Sequence, residues 1–403
     1  VCGASRASLL SGIRPSFNTF LHYDSSAEED APDAITLPEH FKNNGYYTIA
    51  RSKVFGFPED SKDSWHELWS PIDTSFWWRD YLDKENRFLD SIGGMAKGAY
   101  PFECADVHDT AYFDGKAVKM AVNDISRLKA KDEPFFLAVG LRKPHLPFNA
   151  PKAYWDLYDR SEFELPGNYI PVNNSIPGQA YHNWSELRKY YGVPAKGPVS
   201  DSIAVSLLHG YYACVSYVDQ LFGNLLAALK KEGLDKNTIV VVVGDHGFNL
   251  GEHGLWCKHS NFNTSLHSLL MVHVPGMTQG DFSNSITEFV DIYPTICDLS
   301  NLENPDHLEG VSFKNVLQNP LESNKNYAVS RWGQGITYIK DNYFFTQWRD
   351  EKDSVYMGML FNHSDDPNEN HNLYQTKDNS EIIHLLEDEL VQKRGNWLGE
   401  LPE

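Results

Sequence analysis

Apolar residues along the chain repeat at helical spacing and then gather in short β-branched runs, an alternation that predicts a mixed sheet covered by helices on both faces. From Phe113 to Ala130, Val118, Val122, Ile125 and Leu128 share one helical face, and Pro134 then opens the apolar run Phe135 to Val139. A helix followed by a buried strand is expected there. A second unit runs from Val215 through Val218, Leu221, Leu225 and Leu229 to Gly233, then into Thr238 to Val243 and the turn Gly244-Asp245-His246-Gly247. In α/β folds polar loop residues collect at the carboxyl ends of the strands, so Asp245 and His246 are well placed for chemistry. Residues 149–200, rich in Pro, Asn, Tyr and Gly with weak periodicity, predict a long ordered excursion over the surface. Beyond about Pro320 the pattern changes. Gly335 to Trp348 alternates around Lys340-Asp341-Asn342 as a hairpin, and Ser380 to Arg394 is an amphipathic helix closed by Gly395. The chain thus divides into a large domain over 1–322 and a smaller α+β subdomain over 323–403.

Composition narrows the partners. The 403 residues carry a net charge of -20, which argues against nucleic acid, and no stretch reaches the roughly 18 apolar residues of a membrane span. Cys2, Cys104, Cys214, Cys257 and Cys297 are widely spread and odd in number, so at least one is unpaired or modified. The sequons at Asn173, Asn183, Asn263 and Asn362 permit secretion, and no signal peptide lies within Val1–Glu403.

Four segments bear chemistry. In Cys2-Gly3-Ala4-Ser5-Arg6-Ala7-Ser8-Leu9-Leu10-Ser11-Gly12, Cys2 falls at the amino end of a helix that Gly12 ends, and Arg6 shares its face one turn on. Spacing alone equally accommodates an inert buried cysteine. Gly244-Asp245-His246-Gly247 with Gly251 to Lys258 brings a carboxylate, an imidazole and an ammonium near one strand end, where Asp245 suits Ca²⁺ or Mg²⁺; a solvated polar turn is the other reading. Lys143-Pro144-His145-Leu146-Pro147 fixes His145 between two prolines after a strand, as a proton donor or a surface histidine. Lys53, after Gly45-Tyr46-Tyr47-Thr48, is an anion contact or an ordinary surface lysine.

The first of these segments resembles the sulfatase signature, in which the cysteine is oxidised to formylglycine; Cys2, Ala4, Arg6, Leu10, Ser11 and Gly12 fit it, and Ala4 stands where many members have proline. The stretches through Ser260-Asn261-Phe262 and around His145 are similar to the iduronate-2-sulfatase branch. Val290-Asp291-Ile292-Tyr293-Pro294-Thr295 and Asp366-Pro367-Asn368-Glu369-Asn370 resemble other sulfatase segments, which support the fold rather than the chemistry. The resemblance implies an alkaline-phosphatase-like fold, with Asp245 and His246 at a Ca²⁺ or Mg²⁺ site. It implies Cys2, Arg6, Lys53, His145 and Lys258 as catalytic residues, His145 and Lys258 also contacting substrate. Arg142 and Lys143 face a uronate carboxylate or form a solvated pair, and Trp65, Trp69, Trp77 and Trp78 stack on sugar rings or lie in the core.

Two departures stand out. The histidine expected just after Lys53 is replaced by Gly56 and Phe57, leaving His66 as a candidate base. Family members also carry two metal-binding aspartates on a first strand ahead of the cysteine, whereas this sequence begins one residue before Cys2; a sheet without that strand exposes a long unpaired edge. The implied reaction is hydrolysis of a sulfate ester, with a sulfated carbohydrate of the 2-O-sulfo-uronate kind as substrate. A formylglycine-generating enzyme is the implied maturation partner, and the compartment is the periplasm, the exterior or the lysosome. The alternatives are a phosphate or phosphonate ester hydrolase of the same superfamily and a non-catalytic binding protein for sulfated glycans.

Overall fold

The computed structural model describes residues 1–70, 79–94, 97–131, 133–170, 175–181 and 185–394. Trp77, Trp78, Asn173, Asn183 and Gly395 lie outside them. The elements that position the site are helix α1 (Cys2–Ser11), strands β1 (Tyr47–Ser52) and β2 (Glu67–Trp69), helix α2 (Phe113–Lys131), strand β3 (Phe135–Gly140), helix α3 (Asp201–Lys231), and strands β4 (Val240–Val243) and β5 (Leu270–His273). The C-terminal subdomain is an antiparallel sheet of β6 (Tyr327–Trp332), β7 (Gly335–Lys340), β8 (Tyr343–Arg349) and β9 (Val355–Asn362) in sequential order, with helix α4 (Ser380–Lys393) against it through Leu386 and Leu390.

Pro134 sets the break between α2 and β3, and the Val118, Ile125 and Leu128 face of α2 is buried as its spacing requires. Strands β2, β1 and β3 run parallel in that order, with Tyr47 to Ser52 in register with Phe135 to Gly140. The stretch after Trp65 thus supplies a sheet edge through Glu67–Trp69. Trp65 itself is core, packed against Phe55 and Phe136. Buried Arg51 on β1 ties this layer together, donating to Asp124 on α2 and Glu67 on β2.

Helix α3 begins at Asp201, well before Val215, because Ala204, Leu207 and Leu208 continue its buried stripe ahead of the periodic segment. Strand β4 begins at Val240 rather than Thr238 and pairs antiparallel with β5. Residues 149–200 form the expected excursion, whose helices among the described residues are no longer than the four residues of Lys152–Trp155.

Among the described residues β3 and β4 do not pair. Between them runs a cleft of about 1450 Å³, lined by both strands, by Val218, Phe222 and Leu225 of α3, and by Leu128 of α2. Val240 to Val243 remain only half-buried, although such a run on a covered strand is buried on both faces. The cleft opens beside the catalytic candidates.

The two segments read as structural behave so. Fully buried Asp291 accepts Lys325 Nζ at 2.8 Å and the Val311 N–H at 2.8 Å. Buried Glu369 accepts the Asn263 N–H at 2.9 Å, fastening the subdomain to the loop beyond Lys258.

Candidate active site

Helix α1 aims its amino end at the mouth of the cleft. Its small apolar face is buried, and Gly3 has no room for a side chain, since a Cβ there would stand 2.1 Å from the Tyr23 carbonyl oxygen. Gly12 ends the helix at φ 72°, ψ 16°, a left-handed conformation that glycine adopts without strain. Cys2 therefore sits in the first turn, where unpaired amides favour negative charge. One turn on, Arg6 Nε donates to Asp245 Oδ2 at 2.7 Å, and Nη1 donates to the carbonyls of Lys53 and Val54. The Ser5 hydroxyl donates to the Asp245 carbonyl. These bonds lock α1 to the loops that follow β1 and β4.

His246 Nδ1 lies 2.7 Å from the Gly247 carbonyl; a proton assigned there leaves the Nε2 lone pair facing Cys2 Sγ at 3.2 Å and Asp245 Oδ1 at 3.5 Å. A histidine so oriented through a backbone carbonyl is arranged as a metal ligand. Ligand atoms of Cys2, Asp245 and His246 lie within 4.8 Å of one another. A hard divalent cation takes six or more ligands, mostly oxygen. The cluster therefore fits one side of such a site, and the remaining donors must be water, substrate oxygens or further carboxylates.

Burial and the Asp245 carboxylate oppose ionisation of the Cys2 thiol, but Lys53, Lys258 and His246 outweigh them and hold it well below its usual range. The thiol stands where a hydroxyl nucleophile would be, so the same cations would stabilise negative charge on that oxygen. Asp245 is likewise held well below the usual carboxylate range: burial opposes this, and Arg6, His246 and Lys53 overcome it.

The opposite side of the site is a pair that the sequence places far apart. Lys258 Nζ lies 2.9 Å from His145 Nε2, while His145 Nδ1 lies 2.6 Å from the Leu146 carbonyl. Burial and the neighbouring Lys258 push the imidazole down, so Lys258 is the cation and His145 its neutral acceptor. Both oxygens of Glu186 lie 2.8 Å from Lys258 Nζ. No sequence signal marked Glu186, because a carboxylate in an aperiodic stretch has no pattern to stand out from.

Lys53 lines the cleft mouth beside Cys2, Arg6, His145, Asp245 and His246. Lys143 also lines it, but its Nζ donates to the Pro147 carbonyl at 2.6 Å, folding it onto its own loop. The Arg142 guanidinium lies 5.2 Å from the Phe113 ring centroid. His66 is misplaced for a base. Its Nδ1 meets Thr48 at the amino end of β1, five residues and therefore about 16 Å from Lys53 at the other end. Nor can Gly56 be exchanged for histidine on this backbone, because its Cβ would lie 2.9 Å from Gly3 Cα.

His253, beyond the Asp245 turn, is buried against Phe262 and bonded to Asn168. Burial pushes its pKa from 6.5 to about 4. Between those values the unfolded chain holds a proton that the folded one lacks, so stability falls as pH drops through the window, by at most about 3 kcal/mol. Denaturant titrations across that range are expected to show the slope in the native protein, and His253→Gln to flatten it.

The family model for sulfatases matches residues 1–302. The chain belongs to the sulfatase family. That family comprises sulfuric ester hydrolases, and a second model, for the C-terminal part of N-sulphoglucosamine sulphohydrolase, matches residues 251–396. This sulfatase is 31% identical to the mouse iduronate 2-sulfatase over 350 residues, an alignment covering 78% of this chain and 62% of the mouse protein. It is 28% identical to the human iduronate 2-sulfatase, over 96% of this chain and 85% of that protein. The phosphonate monoester hydrolase of Silicibacter pomeroyi superposes with a TM-score of 0.79 at 20% identity, over 98% of this chain and 86% of the other, and shares the alkaline-phosphatase-like fold.

Proposed function

We propose that this sulfatase removes sulfate from a sulfated saccharide of the 2-O-sulfo-uronate kind, with residue 2 matured to formylglycine. The observation that carries the reading is the convergence of Cys2, Arg6 and Lys53 on one side and the His145–Lys258 pair on the other, around the Asp245–His246 corner. The similarity to iduronate 2-sulfatases supports the saccharide.

A hydrated aldehyde at residue 2 supplies one hydroxyl to bond sulfur and a second whose deprotonation expels sulfate and returns the aldehyde. Arg6 braces Asp245, while Lys53 offsets charge on the sulfuryl oxygens, the electrostatic contribution that usually dominates. The three N–H groups of Lys258 meet His145 and both oxygens of Glu186, and Lys258 gives up one of these bonds to donate to the departing alcohol oxygen as charge develops there. Lys143 can reach substrate only by releasing the Pro147 carbonyl. Ca²⁺ or Mg²⁺ held by Asp245 and His246 would supply Lewis acidity toward the same oxygens. Water, substrate oxygens or further carboxylates would complete the metal shell. The large domain then spans 1–322 and the subdomain 323–403, with the periplasm, the exterior or the lysosome as the compartment.

Peptide mass spectrometry on the purified protein, paired with a sulfate-release assay, tests the reading. Formylglycine at residue 2 with sulfate released from a 2-O-sulfated uronate is the expected result. Unmodified cysteine in protein that binds sulfated glycan without releasing sulfate would overturn it in favour of a binding protein.

A further inference from the structure

Glu186 is a carboxylate placed inside a site built for anions. It comes from the short helix Ser185–Arg188, and its side chain is 15% exposed. Both oxygens meet Lys258, Oε1 also lies 3.0 Å from His145 Nε2, and Oε2 lies 3.9 Å from His259 Nδ1. Such a group weakens the binding of every anion, and it does so in proportion to the anion's charge. Around Cys2 the cations Arg6, Lys53 and Lys258 face the carboxylates of Asp245 and Glu186, which leaves one surplus positive charge. Whatever a metal and its own ligands add, removing Glu186 raises that surplus by one.

We propose that Glu186 sets the charge selectivity of the site, admitting the monoanion of a sulfate monoester and disfavouring the dianion of a phosphate monoester. This rests on the hydrolase reading above, and it explains how a fold shared with a phosphonate monoester hydrolase, whose substrate is also a monoanion, can be kept from phosphate monoesters. Lys258 Nζ lies 2.8 Å from both Glu186 oxygens, so an alcohol oxygen held by the same ammonium would lie on the order of 5 Å from that carboxylate. At an effective dielectric of about 20 each ligand charge there is disfavoured by up to roughly a hundredfold. A dianion bears that penalty twice. Loss of Glu186 should therefore shift selectivity toward the dianion by on the order of tenfold to a hundredfold, less at high salt.

The test compares 4-nitrophenyl sulfate with 4-nitrophenyl phosphate at about pH 8, where the phosphate ester, with its second pKa near 6, is dianionic. For the native protein, Glu186→Gln and Glu186→Asp, the ratio of kcat/KM between the two esters is measured. Calorimetry of phenyl sulfate and phenyl phosphate binding runs in parallel and includes the double variant Glu186→Gln/Lys258→Met. Glu186→Gln is expected to shift both ratios toward phosphate. Glu186→Asp should stay near the native ratio, and the double variant should return to it in binding, because the pair is removed without a net charge. A mere positioning role for Glu186 would lower turnover of both esters equally and leave the ratios unmoved, which overturns the proposal; so does native protein that binds neither ester. If the native protein turns over neither ester but binds both, the hydrolase reading fails while the binding ratios still decide the role of Glu186. If Glu186→Gln does not fold, the double variant decides: its binding ratio should match that of Glu186→Asp, and a different ratio overturns the proposal.

Discussion

Cys2→Ser is expected to react once with a sulfate ester and then stop. A serine hydroxyl at residue 2 would keep the surroundings of Cys2: the first turn of α1, Arg6 one turn on, and the Lys53 and Lys258 cations that favour negative charge there. Attack on sulfur is therefore retained in part. The product is a serine sulfate ester, and its carbon has no second hydroxyl from which sulfate can be expelled. Turnover should fall on the order of 10⁴-fold or more, the scale seen when a nucleophile is removed. Intact mass spectrometry after incubation with substrate should show one sulfuryl group added per chain. Unimpaired turnover by Cys2→Ser would remove residue 2 from the chemistry altogether.

Gly140→Ala should damage fold and site together. Gly140 closes β3 in register with Ser52 at the end of β1, and its carbonyl accepts the Lys53 N–H at 3.1 Å. A Cβ at this position would stand 1.8 Å from the Lys53 carbonyl oxygen and 2.7 Å from the Val54 nitrogen. Those are backbone atoms and cannot rotate away, so the two strand ends must part. The Lys53 carbonyl also receives Arg6 Nη1, so Arg6 shifts with it and loosens its hold on Asp245. A loss of about 1–3 kcal/mol is expected from overpacking, together with a fall in kcat of about 10²-fold from misplacement of Lys53 and Arg6. Thermal melts and steady-state kinetics on one preparation measure both. Native stability and activity would show that the strand ends yield more easily than backbone contacts of this kind allow.

Much of this protein was legible in its sequence where function depends on local spacing. Cys2 and Arg6 lie one helical turn apart, and Gly12 stops their helix, so their shared face follows from helix periodicity. The α2–β3 unit followed from an apolar stripe, a proline and a short apolar run. Asp245 and His246 followed from the rule that α/β loops at strand ends gather polar groups. Resemblance to sulfatases extended this to Lys53, His145 and Lys258, which spacing alone left as ordinary surface residues.

Other features depended on contacts between distant parts of the chain. His66 lies only 13 residues after Lys53, yet the parallel pairing of β1 and β2 sends it to the far end of the strand. Trp65 had equal standing as a sugar platform and as core, and burial against Phe55 and Phe136 decided for core. Gly56 looked like a lost histidine, but the close approach of Gly3 leaves that position no side-chain space. The sequence by itself determined the helix that carries residue 2, the strand ends that carry the acid and the imidazole, and the change of architecture near the C-terminus, because periodicity and turn chemistry act over a few residues. Only the tertiary structure decided that Lys258 meets His145 across 113 positions, that both oxygens of Glu186 meet Lys258, and that β3 and β4 face each other across an open cleft. Ion pairing and sheet order are settled by packing between distant segments, and no local pattern encodes them.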